Sequence, residues 1–350
     1  MWSNGLLLSL AILCCHGQSA DKETPSPSSH AGKPLQERTL PPDNVRLGVF
    51  VLVDPNIGNG SATLEDYMFY AAALLSGVNI RLLGMPNPAV KVGLLGVHKL
   101  TEDEKKQMAD NGTVIFNQTW NVVQEIKNKT LRAKEADMIY VMTRDKIPSG
   151  TDFTVKDVAS TRGACTEDNI GIGNHVLWSY GGYTTFLRNI AKLMRAVSFG
   201  CEWDDASLFN NCSRKHMLSH VRRVWPYCFG HTMHTSWVFY QRLPGDRLNA
   251  TSFCKFMLPG TKSCSETADG NQEYPTCKLG CCPSTTGDGT TQEFDLPDGT
   301  LCKNSTYDYH MGSCYKKECK NRPALLRYAN PADNVRSQLT EPVTPPPSSA

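Results

Sequence analysis

Residues 45–53, VRLGVFVLV, form a nearly unbroken apolar run that ends at Asp54 and Pro55. A short run of this β-branched, apolar character closed by turn residues predicts a buried strand. Residues 64–76 carry a helical pattern, and VKVGLLGV (90–97) and MIYVM (138–142) predict two further strands with a helical segment between them that includes 122–131. Strand and helix in alternation indicate an α/β architecture. Further along, Phe186, Ile190, Leu193, Met194 and Val197 recur at spacings of three and four. That stripe predicts an amphipathic helix with Arg188, Lys192 and Arg195 on its solvated face.

Other stretches lack such patterning. Residues 5–15 are a short apolar run of signal-peptide length, too short to span a membrane, so 1–20 are expected to be a cleaved leader. Residues 21–43 are rich in Pro, Ser, Lys and Glu and read as a disordered linker, and 321–350, ending PPPSSA, as a Pro-rich tail. Composition breaks after Cys228: eight cysteines crowd into 254–319, a Gly-, Pro- and Thr-rich stretch that needs crosslinks to fold. The expected organisation is therefore a core-forming domain over 44–230 and a cysteine-rich one over 231–320.

Cysteine and sequon usage place the chain outside the cell. Of 14 cysteines, Cys14 and Cys15 fall in the leader, and the even remainder suits an oxidised framework. N-x-S/T sequons at Asn59, Asn111, Asn117, Asn128, Asn249 and Asn304 are candidate glycosylation sites. A further sequon at Asn211 has Cys212 as its middle residue, which a disulfide can bury. A net charge of +2 gives no reason to expect nucleic acid as a partner, and no second apolar stretch points to membrane insertion.

The candidate chemistry lies in GGYTTFLRNIAKLMRAVSFG (181–200) followed by CEWDDASLF (201–209). A Gly-containing lead-in, an amphipathic helix, Phe-Gly-Cys and C-x-W-x-D together resemble reprolysin-type (metzincin) zinc metalloproteases, especially the secreted salivary forms of ticks. ADMIYVMTRD (136–145) and RGACTEDNIGIG (162–173) look like that family's strand before the active-site helix and its substrate-positioning edge strand, and 212–228 like its final helix. The resemblance implies a mixed twisted sheet with helices, followed by a small disulfide-rich domain. It also implies crosslinks Cys165 to Cys228 and Cys201 to Cys212. The pairing within 254–319 does not follow, because the family's pattern expects a further cysteine near Tyr309; eight cysteines allow 105 connectivities.

In that family a helix carries H-E-x-x-H-x-x-G-x-x-H, whose three histidines hold zinc and whose Glu is the general base. Laid on this motif, the ligand positions fall on Arg188, Lys192 and Ser198, the base on Asn189, the turning Gly on Arg195 and the Met-turn on Phe209. Guanidinium and ammonium offer a cation no lone pair, and an amide cannot take a proton from water. The resemblance thus implies a pseudoenzyme with no catalytic residues and no cofactor. Its expected partners are extracellular proteins, with host haemostatic, matrix or cell-surface proteins as candidates, and Arg188, Lys192 and Arg195 offer a basic floor to an acidic segment. The alternative is a zinc endopeptidase with a non-standard site. His216 and His220, at i and i+4 in KHMLSH, have the right ligand spacing for it, although no carboxylate occupies the second position.

Overall fold

The structure is a computed structural model that describes residues 44–58, 61–82, 89–149, 153–160, 163–196, 209–224, 242–264, 276–284, 291–303 and 312–321. β1 (Asn44–Val53) is followed by α1 (Leu64–Leu82), β2 (Ala89–Lys99), α2 (Glu102–Met108) and α3 (Phe116–Lys129). β3 (Met138–Thr143), β4 (Asp157–Ala159), β5 (Ile170–Asn174), α4 (Tyr183–Leu193) and α5 (Asn211–Val224) complete this part. The five strands form one sheet in the order β2-β1-β3-β5-β4. All neighbours run parallel except the edge strand β4, which is antiparallel to β5.

The apolar run of β1 is unbroken because both sheet faces are covered. Val45, Leu47, Val49, Val51 and Val53 join a cluster with α1, α4 and α5, whereas Phe50 and Leu52 join one with α2 and α3. β3 divides its residues in the same way, Met138, Tyr140 and Met142 to one side and Ile139 and Val141 to the other. The mixed α/β architecture read from the sequence is the observed one.

Two boundaries differ from expectation for physical reasons. α1 continues past Ser76 to Leu82. Gly77, which disfavours a helix locally, is where the Tyr183 ring packs: a Cβ there would lie 2.6 Å from Tyr183 Cε2. Asn79 in the same extension donates to the Val92 carbonyl (2.7 Å) and accepts from the Val92 N–H (2.8 Å), which saturates backbone groups on the exposed flank of edge strand β2. The second difference concerns strand roles. The strand leading into α4 is β5, within 162–173 and its continuation, and not the 138–143 segment; β5 lies inside the sheet, and the edge is the unanticipated Asp157–Ala159.

The crosslinked segment holds α6 (Ala250–Met257) and two three-stranded antiparallel sheets. One sheet contains β6 (Thr261–Ser263), β7 (Lys278–Pro283) and β8 (Gln292–Asp295), and the other β9 (Leu301–Cys302), β10 (Gly312–Tyr315) and β11 (Glu318–Asn321). Its small core is built largely from cysteines with Phe253, Leu279 and Leu296. All eight cysteines are paired, as Cys254–Cys281, Cys264–Cys282, Cys277–Cys314 and Cys302–Cys319. Cys277–Cys314 ties one sheet to the other, a role for crosslinks that a core this small requires. Cys165 and Cys212 are also disulfide-bonded; Cys228 and Cys201, the partners expected for them, lie outside the described residues.

A buried ion pair joins this segment to α1. Arg81 grips Asp298 in a bidentate pair, through Nε to Oδ2 and through Nη2 to Oδ1 at 2.8 Å. Tyr183 donates to Asp298 Oδ2 (2.8 Å) and the Lys316 N–H to Oδ1 (3.0 Å). Burial opposes a charge on Arg81, but Asp298 outweighs it and drives the pKa upward, so the guanidinium stays protonated. The expected boundary at 230 falls within 225–241, outside the described residues. No described helix is long and apolar enough to cross a membrane.

Candidate functional site

α4 is the element on which the candidate chemistry rests. Phe186, Ile190 and Leu193 are fully buried against the sheet, as the apolar stripe predicts. Its N-terminus is set by Gly182, where a Cβ would come within 2.4 Å of His175 Nδ1. His175 itself is buried between two hydroxyls, Tyr70 at Nδ1 and Tyr140 at Nε2, each at 3.0 Å. Burial lowers its pKa to about 3, so the imidazole is neutral, with one nitrogen donating and the other accepting.

The helix ends in a Schellman turn. The Arg195 N–H bonds to the Lys192 carbonyl (2.9 Å) and the Ala196 N–H to the Ala191 carbonyl (2.7 Å). Arg195, at the position of the motif's turning Gly, has φ +60°, the left-handed conformation for which Gly is the usual choice. The helix thus closes in a left-handed turn without a Gly. Phe209, at the Met-turn position, also has a positive φ (+67°) and is buried beside Met217 and Val221.

At the ligand positions, spacing of four residues places Arg188 and Lys192 on one face of α4, as expected. They do not form an open basic floor. Both reach the carboxylate of Asp157 on the antiparallel edge strand: Arg188 Nη1 to Oδ2 at 3.2 Å and Lys192 Nζ to Oδ1 at 2.5 Å. The Asp157 side chain is 5% exposed, and those of Arg188 and Lys192 are 33% and 20%. The solvated face predicted from periodicity is thus a half-buried three-charge cluster. Asn189, at the base position, points the other way: it is fully buried and donates to the Ile172 carbonyl of β5 (2.8 Å). Ser198 lies outside the described residues.

A zinc ion does not fit this donor set. Neither cation can ligate, and among the described residues the Asp157 carboxylate is engaged by both. Of the alternative pair, His220 is buried with Nε2 at 3.3 Å from the Ala164 carbonyl, while His216 is partly exposed on the same helix α5. Among the described residues the one group of three potential donors is Cys277, Cys302 and Cys314, all committed to disulfides, so no third ligand joins the histidines. Asn111, Asn117, Asn128 and Asn249 are exposed; Asn59 and Asn304 are outside the described residues. Asn249 also caps α6, accepting from the Ser252 N–H (2.8 Å).

Sequence reasoning missed Asp157, His175 and the Arg81–Asp298 pair. Asp157 stands in a three-residue strand 31 and 35 positions before its partners, with no spacing signature, and Asp298 is 217 positions from Arg81.

No protein-family model matches the chain, and no curated protein matches it. Among solved structures, it is similar over 51% of its length to metalloproteinase-II from Bacteroides fragilis, at 11% identity and a TM-score of 0.34. Matching 53% of that chain, it spans about half the length of that protein. It is similar over the same share to the archaemetzincin from Methanopyrus kandleri, at 10% identity and a TM-score of 0.33, with 97% of that chain covered.

Proposed function

We propose that this chain is a secreted, non-catalytic member of the reprolysin-type metalloprotease lineage that acts by binding extracellular protein. One observation carries the reading: at the two helical positions where zinc ligands would stand, Arg188 and Lys192 close on Asp157. A divalent cation there would face two positive charges and no available lone pair, so the chemistry of water activation has no starting point. The fully buried Asn189 amide at the base position has the same consequence. The Schellman turn at Arg195 and the buried Phe209 supply the support, because they keep the backbone course that the motif's Gly and Met would otherwise explain.

The secreted part of this reading is supported by the apolar run at residues 5–15 and by the disulfides, four of them fully described. The likeness of the α4 region to salivary proteases directs the search for a partner to haemostatic, matrix or cell-surface proteins of a host. The test is an incubation of the purified secreted chain with denatured and native extracellular proteins, with and without a chelator. The reading predicts no cleavage that the chelator removes. Chelator-sensitive cleavage would contradict it and revive the zinc endopeptidase alternative through His216 and His220.

A further inference from the structure

We infer that the outward face of α5 is a docking surface for a sulfated glycosaminoglycan, a linear polysaccharide of the extracellular space. This rests on the extracellular location proposed above and goes beyond the rest of that reading.

α5 turns one face to the core and the other to solvent. Ser213, Met217, His220 and Val221, at spacings of three and four, are buried, and Met217 and Val221 join the cluster of α1 and α4. Lys215, Ser219, Arg222 and Arg223 are exposed on the opposite side. Seven residues are close to two turns, so Lys215 and Arg222 stand in one row roughly 10 Å apart along the axis, with Arg223 beside it.

No acid in the surrounding sequence answers these charges. Asp and Glu make up 34 of the 350 residues, yet none occurs between Asp205 and Asp246, a stretch that holds Arg214, Lys215, Arg222, Arg223 and Arg242. The helix is capped by a neutral residue, Asn210, whose Oδ1 accepts from the N–H groups of Cys212 (2.9 Å) and Ser213 (3.0 Å). Arg222 and Arg223 suit the negative end of a helix, but Lys215 lies nearer the positive end, where a cation gains nothing from the helix itself. Lys215, Arg222 and Arg223 form no ion pair among the described residues, whereas Arg214 has a partner and is no part of the surplus.

The form of this face selects the partner. A contact with another protein is built round an apolar core, and the remaining exposed residues of α5 are Asn211 and Ser219. An anionic membrane holds a helix by inserted apolar side chains or through the charged lipids of the cytoplasmic leaflet; α5 exposes no apolar residue, and the proposed location is outside the cell. A polysaccharide sulfated along its length needs a row of cations and no pocket, and arginine forks meet an oxyanion through paired N–H donors.

The experiment is fluorescence anisotropy of the full secreted chain with a labelled, fully sulfated heparin hexasaccharide, beside its desulfated counterpart. The sulfated probe is expected to bind about tenfold more tightly, and the logarithm of its affinity to fall with that of salt at a slope of about 2–3, as counterion release by three cations requires. Lys215→Gln, Arg222→Gln and Arg223→Gln replace exposed side chains, which leaves the fold intact, and each is expected to weaken binding several-fold and lower the slope by about one. Arg222→Lys should keep most of the affinity. Lys106→Gln, exposed on α2 beside Glu102 and Asp103, is expected to change nothing. Equal affinity for the two probes, no binding of either, or full affinity in the three glutamine variants overturns the assignment. A glutamate-rich peptide or a vesicle of anionic phospholipid that displaces the sulfated probe at equal charge concentration overturns it too. Failure here is separable from failure of the reading above: chelator-sensitive cleavage would remove the non-catalytic part while sulfate selectivity persisted, and loss of that selectivity would remove this surface from a chain still free of activity.

Discussion

Asp157 holds two cations with one carboxylate, so its loss is felt twice. In Asp157→Asn, Arg188 and Lys192 lose their shared partner while remaining on one helical face, one turn apart. A buried pair broken on one side costs about 3–5 kcal/mol and an exposed one about 0–1 kcal/mol. With the aspartate buried and both cations partly exposed, we expect a loss of about 1–3 kcal/mol, read as a lower urea midpoint at unchanged slope. A midpoint equal to that of the parent would mean the cluster is incidental. His175 makes a different prediction. Burial depresses its folded pKa to about 3 from the ordinary histidine value of 6.5, so below about pH 6.5 the unfolded chain takes up a proton that the native one refuses. The stability this contributes is complete above that pH and falls by about 1.4 kcal/mol per pH unit on the way down towards pH 3. Stability at about pH 7.5 and about pH 5.5, which straddle the unfolded pKa, should differ by about 1.4 kcal/mol from this group in the parent, and the pH dependence should be shallower in His175→Gln. Equal slopes would show that other groups govern the acid limb.

Of the elements, α4 was the most legible in the sequence and also the most misleading. Its apolar stripe is a periodicity that burial enforces, so Phe186, Ile190 and Leu193 were readable as core from spacing alone. Its polar face was not, because spacing records which residues share a face and not what a distant strand brings to it. β4 is three residues long and its one important side chain has no pattern, which is why Asp157 was invisible. β1 and β3 were legible because strands covered on both faces are written as continuous apolar runs. The extension of α1 was not, since Gly77 is tolerated only because Tyr183 fills the space beside it. The proposed degenerate motif on α4 has a direct test in restoration. Arg188→His, Lys192→His and Ser198→His together should create a stoichiometric zinc site, because the helix spacing and the left-handed turn at Arg195 are already present. Elemental analysis of the folded triple variant checks this; a folded variant without zinc would mean that the alignment of 188–198 with the motif is wrong.

At the scale of the whole molecule, the crosslinked segment and the sheet domain meet at Arg81, Asp298 and Tyr183, a polar junction buried from water. Removing the carboxylate strands a guanidinium that cannot shed its proton. Asp298→Asn should therefore cost about 3–5 kcal/mol, and it should expose the crosslinked segment to limited proteolysis before the sheet domain unfolds. Uniform unfolding with no change in midpoint would show that the disulfides and apolar contacts hold the two parts together unaided.

The central proposal is that α4 carries an ion-pair cluster at the positions where the resembled family would hold zinc, and its most direct measurement is the zinc content of the unmodified protein. The secreted chain would be purified without chelator, equilibrated with excess zinc at neutral pH, desalted and analysed by elemental mass spectrometry. The account predicts zinc far below one per chain, since Arg188, Lys192 and Asp157 satisfy one another and offer no open donor set. One tightly held zinc per chain would contradict it.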